Sequence, residues 1–255
     1  MAIQEYLSTH EVFTADEFRR DFPGSVTDRN LLTRAIRAGK VDRLKRGLYV
    51  SKTGPFSRNL VNPLDVAVKA SDDAVFCYLS ALQIHGVLHN VVFRTQFYSA
   101  HKVVAFEYAG QEFQVIRSPS VTPLQQGVLL QSGRRYQVTT REQTLVDCLG
   151  RLELAGGPEN VLRSVGGFRH IDIDTLLGIA SSRSSSLRAR LGWVLEQRAE
   201  PWQVQDAVLG KLAESLGSGP YYFVSSHTVG DARWVKRWRL YLPNAEQEMA
   251  GWLNQ

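Results

Sequence analysis

Between residues 13 and 39 the apolar positions recur at helical spacing, and each run opens and closes on a boundary signal. In "FTADEFRRDF" Phe18 and Phe22 share one face at i, i+4. Thr14 can cap this run, Glu17 three residues later completes a capping box, and Phe13 can staple onto Phe18. Pro23-Gly24 ends it. In "VTDRNLLTRAIRAG", at 100° per residue, Leu31, Leu32, Ala35 and Ile36 fall within about 140° of one another, a core stripe. This predicts a second helix with Thr27 as N-cap, Val26 stapled onto Leu31, and Gly39 as the stop. The apolar period then shortens in "KVDRLKRGLYV". Val41 to Leu44 and Leu48 to Val50 read as strands joined by Lys45-Arg46-Gly47, a three-residue turn with Gly where φ is positive. Helix, short Gly-containing connection, helix and basic hairpin together predict a winged helix-turn-helix.

Beyond it, "SKTGPFSRN" at 51–59 has linker composition and places a domain boundary near residue 55. Residues 1–54 are thus expected to form the winged helix-turn-helix domain and 55–255 a larger α+β domain. "DDAVFCYLSALQIHGV" predicts a helix ending at Gly86. "VVFRTQFYSA", "VVAFEYAGQEFQVIRS" with a turn at Ala109-Gly110, and "GVLLQSGRRYQVTT" with a turn at Ser132-Gly133 read as strands. From Thr139 the period becomes helical, opening on a capping box (Thr139, Glu142) and stopping at "AGGP", where Pro158 suits a helix start. Helices continue through "DTLLGIA", "SLRARLGWVLEQ" and "WQVQDAVLGKLAESL", and "YYFVSSH…RWVKRWRLYLP" reads as a hairpin. The second part is therefore β-rich over 73–140, helical over 141–216 and a hairpin over 220–242. Without regular βαβ alternation, the expected class is α+β.

With 255 residues, 44% hydrophobic and 22% charged, the chain has the composition of a folded protein, not a disordered one. Cys77 and Cys148 both sit in apolar runs, which favours buried free thiols over a disulfide. The start "MAIQEYLSTHEVF" lacks a cationic-then-apolar signal pattern, and no run approaches roughly 18 apolar residues, so a cytoplasmic location is expected. The net charge of +5 changes the picture only through its distribution. From Thr27 to Lys52 eight basic residues face two acids, a local excess of six, whereas the remainder carries 22 basic and 23 acidic residues. The whole excess lies in one element, as a phosphate-binding surface requires.

On the second helix Asn30, Thr33 and Arg37 lie almost opposite the apolar stripe, with Arg29 and Arg34 flanking. An amide, a hydroxyl and arginines are the groups that reach base edges and phosphates in a major groove. The expected DNA contacts are Thr27, Arg29, Asn30, Thr33, Arg34 and Arg37, followed by Lys40, Arg43, Lys45 and Arg46 of the wing. Base readout falls to Asn30, Thr33 and Arg37. Two readings of other classes stay open. A winged helix can dock an acidic protein. Alternatively, Arg233, Arg237 and Arg239 alternate to one face of "RWVKRWRLYL" with Trp234 and Trp238 on the other, a secondary nucleic-acid patch suited to RNA. The bland counterpart is a Trp face packed on helices with the arginines solvated.

No chemistry-bearing motif completes itself. Asp172-x-Asp174 resembles a nucleotidyltransferase metal pair but lacks the upstream Gly-Ser, so Asp174 is read as the cap of "TLLGIA". His85 and His89 are interrupted by Gly86 and lack the glutamate of HExxH. Residues 181–186 lack Gly-Lys-Ser/Thr, no GxSxG occurs, and Cys148 has no placed base. No enzyme activity, catalytic residue, cofactor or metal is expected.

"RAGKVDRLKRGLYV" resembles the Gly-Lys-x-x-Arg-x-x-Arg-Gly-x-Tyr wing of AbiEi-type antitoxins, transcriptional regulators of type IV toxin–antitoxin systems linked to phage defence. "YLSALQIHGVLHN", "TTREQTLVDCLGRLELAGGPENVL" and "LRARLGWVLEQ" are similar to later stretches of that family, in the same order and spacing to about residue 240. The resemblance implies an N-terminal winged helix that binds inverted repeats in its own promoter and represses its operon; twofold sites would suggest two protomers side by side, a homodimer on DNA, although the sequence shows no heptad or obvious apolar interface for it. It further implies a C-terminal domain that counters a nucleotidyltransferase-like toxin without a stable complex; no membrane partner is expected, since no apolar run is long enough to span. No C-terminal motif here converts into antitoxin residues.

Overall fold

The computed structural model describes residues 2–23, 27–58, 61–118, 122–130, 133–224, 233–243 and 245–254, with the side chains of 27–29 outside the description. The fold is mixed α+β. It divides into two compact units, residues 1–75 with 93–118, and residues 76–92 with 119–255.

The first unit opens with α1 (Ile3–Thr9), β1 (Val12–Thr14), α2 (Ala15–Asp21), α3 (Thr27–Arg37), β2 (Val41–Lys45) and β3 (Leu48–Ser51). The capping box forms as its spacing requires: Thr14 Oγ1 accepts from the Glu17 amide at 3.2 Å, and Glu17 Oε2 accepts from the Thr14 amide at 2.8 Å. Phe13 and Phe18 meet with ring centroids 5.9 Å apart, and Phe18 and Phe22 stack at 4.7 Å. α1 and β1 carry no boundary signal that the sequence pattern could register, since Ala2 at the N-cap makes no side-chain bond. Yet they complete the core. Tyr6 of α1 is fully buried, with edge contacts to Phe13, Phe18 and Phe22 at 5.3–5.6 Å. Such aromatic pairs contribute about 0.5–1.5 kcal/mol each beyond their area.

β1 pairs antiparallel with β3 (Phe13↔Tyr49), giving a three-stranded sheet in the order β1-β3-β2. Thr27 is the first residue of α3 and not its cap; the cap position and the Val26 staple lie outside the described residues. β2 runs one residue further than expected, to Lys45, leaving a two-residue turn at Arg46-Gly47 with Gly47 at φ +83°. Past the 51–59 stretch, Asn62 caps α4 (Pro63–Ala70). β5 (Arg94–Ser99), β6 (Phe106–Tyr108) and β7 (Gln111–Arg117) return to the same unit in the order β6-β7-β5. β5 and β7 are parallel, and β6 turns into β7 at Ala109-Gly110, both at positive φ.

In the second unit β8 (Gln125–Leu129) and β9 (Arg135–Thr139) form a hairpin, and Phe76 at the end of β4 (Val75–Phe76) pairs parallel with Val138. α5 (Tyr78–Ile84) precedes this hairpin, and α6 (Arg141–Gly150), α7 (Gly157–Gly166), α8 (Ile173–Ser181), α9 (Ser185–Gln197) and α10 (Asp206–Glu214) follow it. Pro158 lies in the first turn of α7, one place inside the first position expected for it. Two caps differ from the sequence reading. α6 is capped by Thr140, which accepts from the Gln143 amide, because Thr139 is still paired in β9. α8 is capped by Asp172, which accepts from the Thr175 amide at 3.0 Å, so Asp174 sits inside the helix. The chain ends with β10 (Tyr221–Tyr222), β11 (Arg233–Val235), β12 (Leu240–Leu242) and α11 (Glu246–Leu253), β12 lying between the other two strands. Cys77 and Cys148 are buried and free, and burial, with Asp147 beside it, pushes the Cys148 thiol well above its ordinary value. Among the described residues no helix is long and apolar enough to cross a membrane.

Candidate nucleic-acid interface

α3 divides as its pattern requires. Ala35 is buried and Leu31, Leu32 and Ile36 pack against the aromatic core, while Asn30, Thr33, Arg34 and Arg37 are exposed. Arg34 and Arg37 occupy the last turn, where the helix dipole favours cations. Neither meets a carboxylate within ion-pair distance among the described residues. The side chains of Thr27 and Arg29 lie outside the description.

The β2–β3 turn is fixed against the start of α2, because the Ala15 amide donates to the Gly47 carbonyl at 2.9 Å. Arg43 and Arg46 are exposed, and Arg43 Nε reaches the Lys45 carbonyl at 3.4 Å. Thr33 of α3 and Arg43 and Arg46 of the hairpin line one concavity of about 420 Å³, floored by Phe18, Ile36 and Tyr49. Arg19 of α2 lines it as well. The sequence reading missed Arg19, since its helix shows no recognition pattern of its own; it also forms an exposed ion pair with Asp16.

The remaining basic residues of the hairpin point elsewhere. Lys40 is half-buried and does not line the concavity. Lys45 does not line it either: its ammonium lies 4.9 Å from the centre of the Phe106 ring, and burial lowers its pKa. Asp42 is engaged on the same strand: Lys52 pairs with it at 3.3 Å and the Tyr108 hydroxyl donates to it at 3.0 Å. Burial first, then that bond to a carboxylate, pushes Tyr108 up to about 12. Thr33, Arg43 and Arg46 thus line one concavity, which Lys40 and Lys45 do not line.

The sequence is matched by no family model and by no curated protein. A solved structure does match. The RV2827C protein from Mycobacterium tuberculosis superposes with a TM-score of 0.71 at 15% identity, over 98% of this chain and 93% of that one. At that identity the likeness is one of fold.

The secondary patch does not form as the alternation predicted. β11 stops at Val235, so residues 236–239 turn instead of extending. Trp238 is fully buried while Trp234 is 47% exposed, so the two share no face. Arg237 is held by Glu196 at 2.9 Å and Asp206 at 2.8 Å. Arg239, at φ +48°, donates to the carbonyls of Leu216 and Gly217. Only Arg233 is left exposed on a strand.

Of the residues weighed for metal chemistry, His85 and Asp172 have local hydrogen-bond partners. His85 Nε2 lies 2.8 Å from the Thr139 carbonyl, and burial keeps its pKa below the ordinary histidine value. Among the described residues Asp72, Asp73 and His101 bring one potential ligand atom each within 4.8 Å of one another. Asp73 is already spent on hydrogen bonds from Ser71, Ser99 and the Ala100 amide.

Proposed function

We propose that residues 3–51 are a winged helix-turn-helix in which α3 is the recognition helix and the β2–β3 hairpin the wing, and that the chain is a DNA-binding autorepressor and antitoxin. The observation that carries the DNA reading is the convergence of Thr33, Arg43 and Arg46 on one concavity, together with exposed α3 arginines that have no carboxylate within ion-pair distance among the described residues. Unneutralised arginines on a rigid helix and a pinned turn suit a groove lined by phosphates, where each contact releases a counterion. Asn30, Thr33 and Arg37 read base edges; Arg34, Arg43 and Arg46 hold the backbone. Arg19 joins the phosphate-facing group. The operator, an inverted repeat in the chain's own promoter occupied by two protomers, and the neutralisation of a nucleotidyltransferase-like toxin without a stable complex rest on the resemblance to AbiEi-type antitoxins. This reading places the protein in the cytoplasm and assigns it no enzyme activity.

The mutant test separates the two contact classes. Arg37→Ala weakens binding to the operator by about 1–3 kcal/mol and relaxes sequence preference, whereas Arg46→Ala weakens operator and random duplex alike. Fluorescence anisotropy on both duplexes reads the difference. An equal loss on both for Arg37→Ala contradicts its base-reading role.

A further inference from the structure

A second, larger cavity of about 1020 Å³ opens in the first unit, and no described residue of α3 lines it. Its walls come from the start of α2, the β2–β3 turn, the end of α4 and residues 101–106. Five cations face it: Arg20, Lys45, Arg46, Lys69 and Lys102. Its three acids, Asp16, Glu17 and Asp72, are each answered close by. Asp16 pairs with Arg19 at 2.6 Å, Glu17 pairs with Lys69, and Asp72 lies 3.5 Å from His101 Nε2. Arg20, Arg46 and Lys102 are exposed and, among the described residues, have no carboxylate within ion-pair distance. Among the described residues Lys45 likewise has no carboxylate within ion-pair distance, its ammonium lying over the Phe106 ring. Cations gathered around one concavity repel one another until an anion enters. Two of them are arginines, whose planar forks match phosphate oxygens bidentately. Val68 and Val104, both exposed, add an apolar wall.

We propose that this cleft is a phosphate-binding site, its ligand either a backbone phosphodiester of bound nucleic acid or a free nucleoside phosphate. Arg46 is the one cation it shares with the α3 concavity, so a duplex lying on α3 and the hairpin has its next phosphates within this basic surface. The volume also accepts a whole nucleotide, with the phosphates on the cations and the base on the valines. The proposal extends the DNA reading without depending on it, because a free phosphate needs none of the α3 side chains.

The test uses the full chain and the double variant Arg20→Ala/Lys102→Ala, both exposed positions, with thermal melting to establish that the variant is folded. A backbone phosphodiester as ligand predicts that the variant loses about tenfold in affinity for random duplex, with a salt slope shallower by nearly two, and that calorimetry with inorganic pyrophosphate shows no heat. A free nucleoside phosphate predicts the opposite: pyrophosphate binds the parent protein, binding is lost in the variant and restored by Lys102→Arg on the Arg20→Ala background in part, and duplex affinity is unchanged. A folded variant that matches the parent on duplex, salt slope and pyrophosphate overturns the proposal. Failure of the α3 reading shows separately, as an Arg34→Ala/Arg37→Ala protein that binds its operator like the parent.

Discussion

Glu17 serves two structures at once, and its titration reports both. One oxygen accepts the Thr14 amide to close the capping box, and the other holds the Lys69 ammonium from α4. Burial pushes the carboxyl up, but the Lys69 hydrogen bond and the Thr14 amide outweigh it, so the group is held below its ordinary 4.5. A carboxyl depressed in the folded state contributes stability that is complete above the unfolded value and lost as pH falls through 4.5 toward the folded value. Urea denaturation across pH should therefore show Glu17→Gln less stable than the parent at pH 7, the two curves converging in acid. Thr14→Ala should cost about 1 kcal/mol at neutral pH. A constant gap between Glu17→Gln and the parent down to strong acid contradicts the assignment. The capping box was legible in the sequence because both partners lie three residues apart. Lys69 was not, because its approach depends on how α4 packs beside β1. The caps at Thr140 and Asp172 were misplaced by one and two residues for a related reason. Each has a second candidate beside it, and the choice was made by strand pairing in one case and by the Thr175 amide in the other.

Elements with strong local punctuation were readable; those defined by partners were not. α2, α3 and the hairpin carry boxes, stripes and a turn glycine, and they stand within a residue or so of their expected ends. α1 and β1 exist because Tyr6 and Phe13 have a core to enter, which no local signal announces, whereas α4 does carry a local start signal, Asn62 as cap ahead of Pro63. The Arg/Trp segment failed in the opposite direction, since an alternating pattern was taken for a strand where Lys236 to Arg239 fold into a turn. Its tryptophan was decided by a glycine forty-odd residues away. The ring of Trp238 lies directly on α9 over Gly192, where a Cβ would collide with it. The indole also donates to Glu196 at 2.6 Å. Gly192→Ala therefore should destabilise the fold by about 3 kcal/mol through overpacking, read as a lowered denaturation midpoint. Ala at the outward-facing Gly210 of α10, with nothing within 4 Å, is the control and should be neutral or stabilising. Equal behaviour of the two variants contradicts the Gly192–Trp238 contact.

At the scale of the molecule, the α+β class followed from the order of helical and extended patterns, but the partition of the chain did not. The 51–59 stretch looked like a linker by composition, whereas residues 93–118 rejoin the first unit through β5–β7 pairing that no local composition encodes. The consequence for function is that β6 backs the hairpin, through Tyr108 on Asp42 and Phe106 on Lys45. Arg43 and Arg46 are thereby presented from a braced strand pair. Charge was the part of the site most legible in the sequence, because a local excess is a count; which lysines face which cavity required the fold. If each protomer pairs about five phosphates, log K for duplex DNA should fall against log salt with a slope near −4 to −5. The most direct test of the DNA-binding account is fluorescence anisotropy of the full chain on the duplex immediately upstream of its own gene, against a random duplex of equal length, across a salt series. The account predicts tighter binding to the upstream duplex, with that preference abolished by Arg34→Ala/Arg37→Ala. Absence of binding to either duplex at low salt would contradict it.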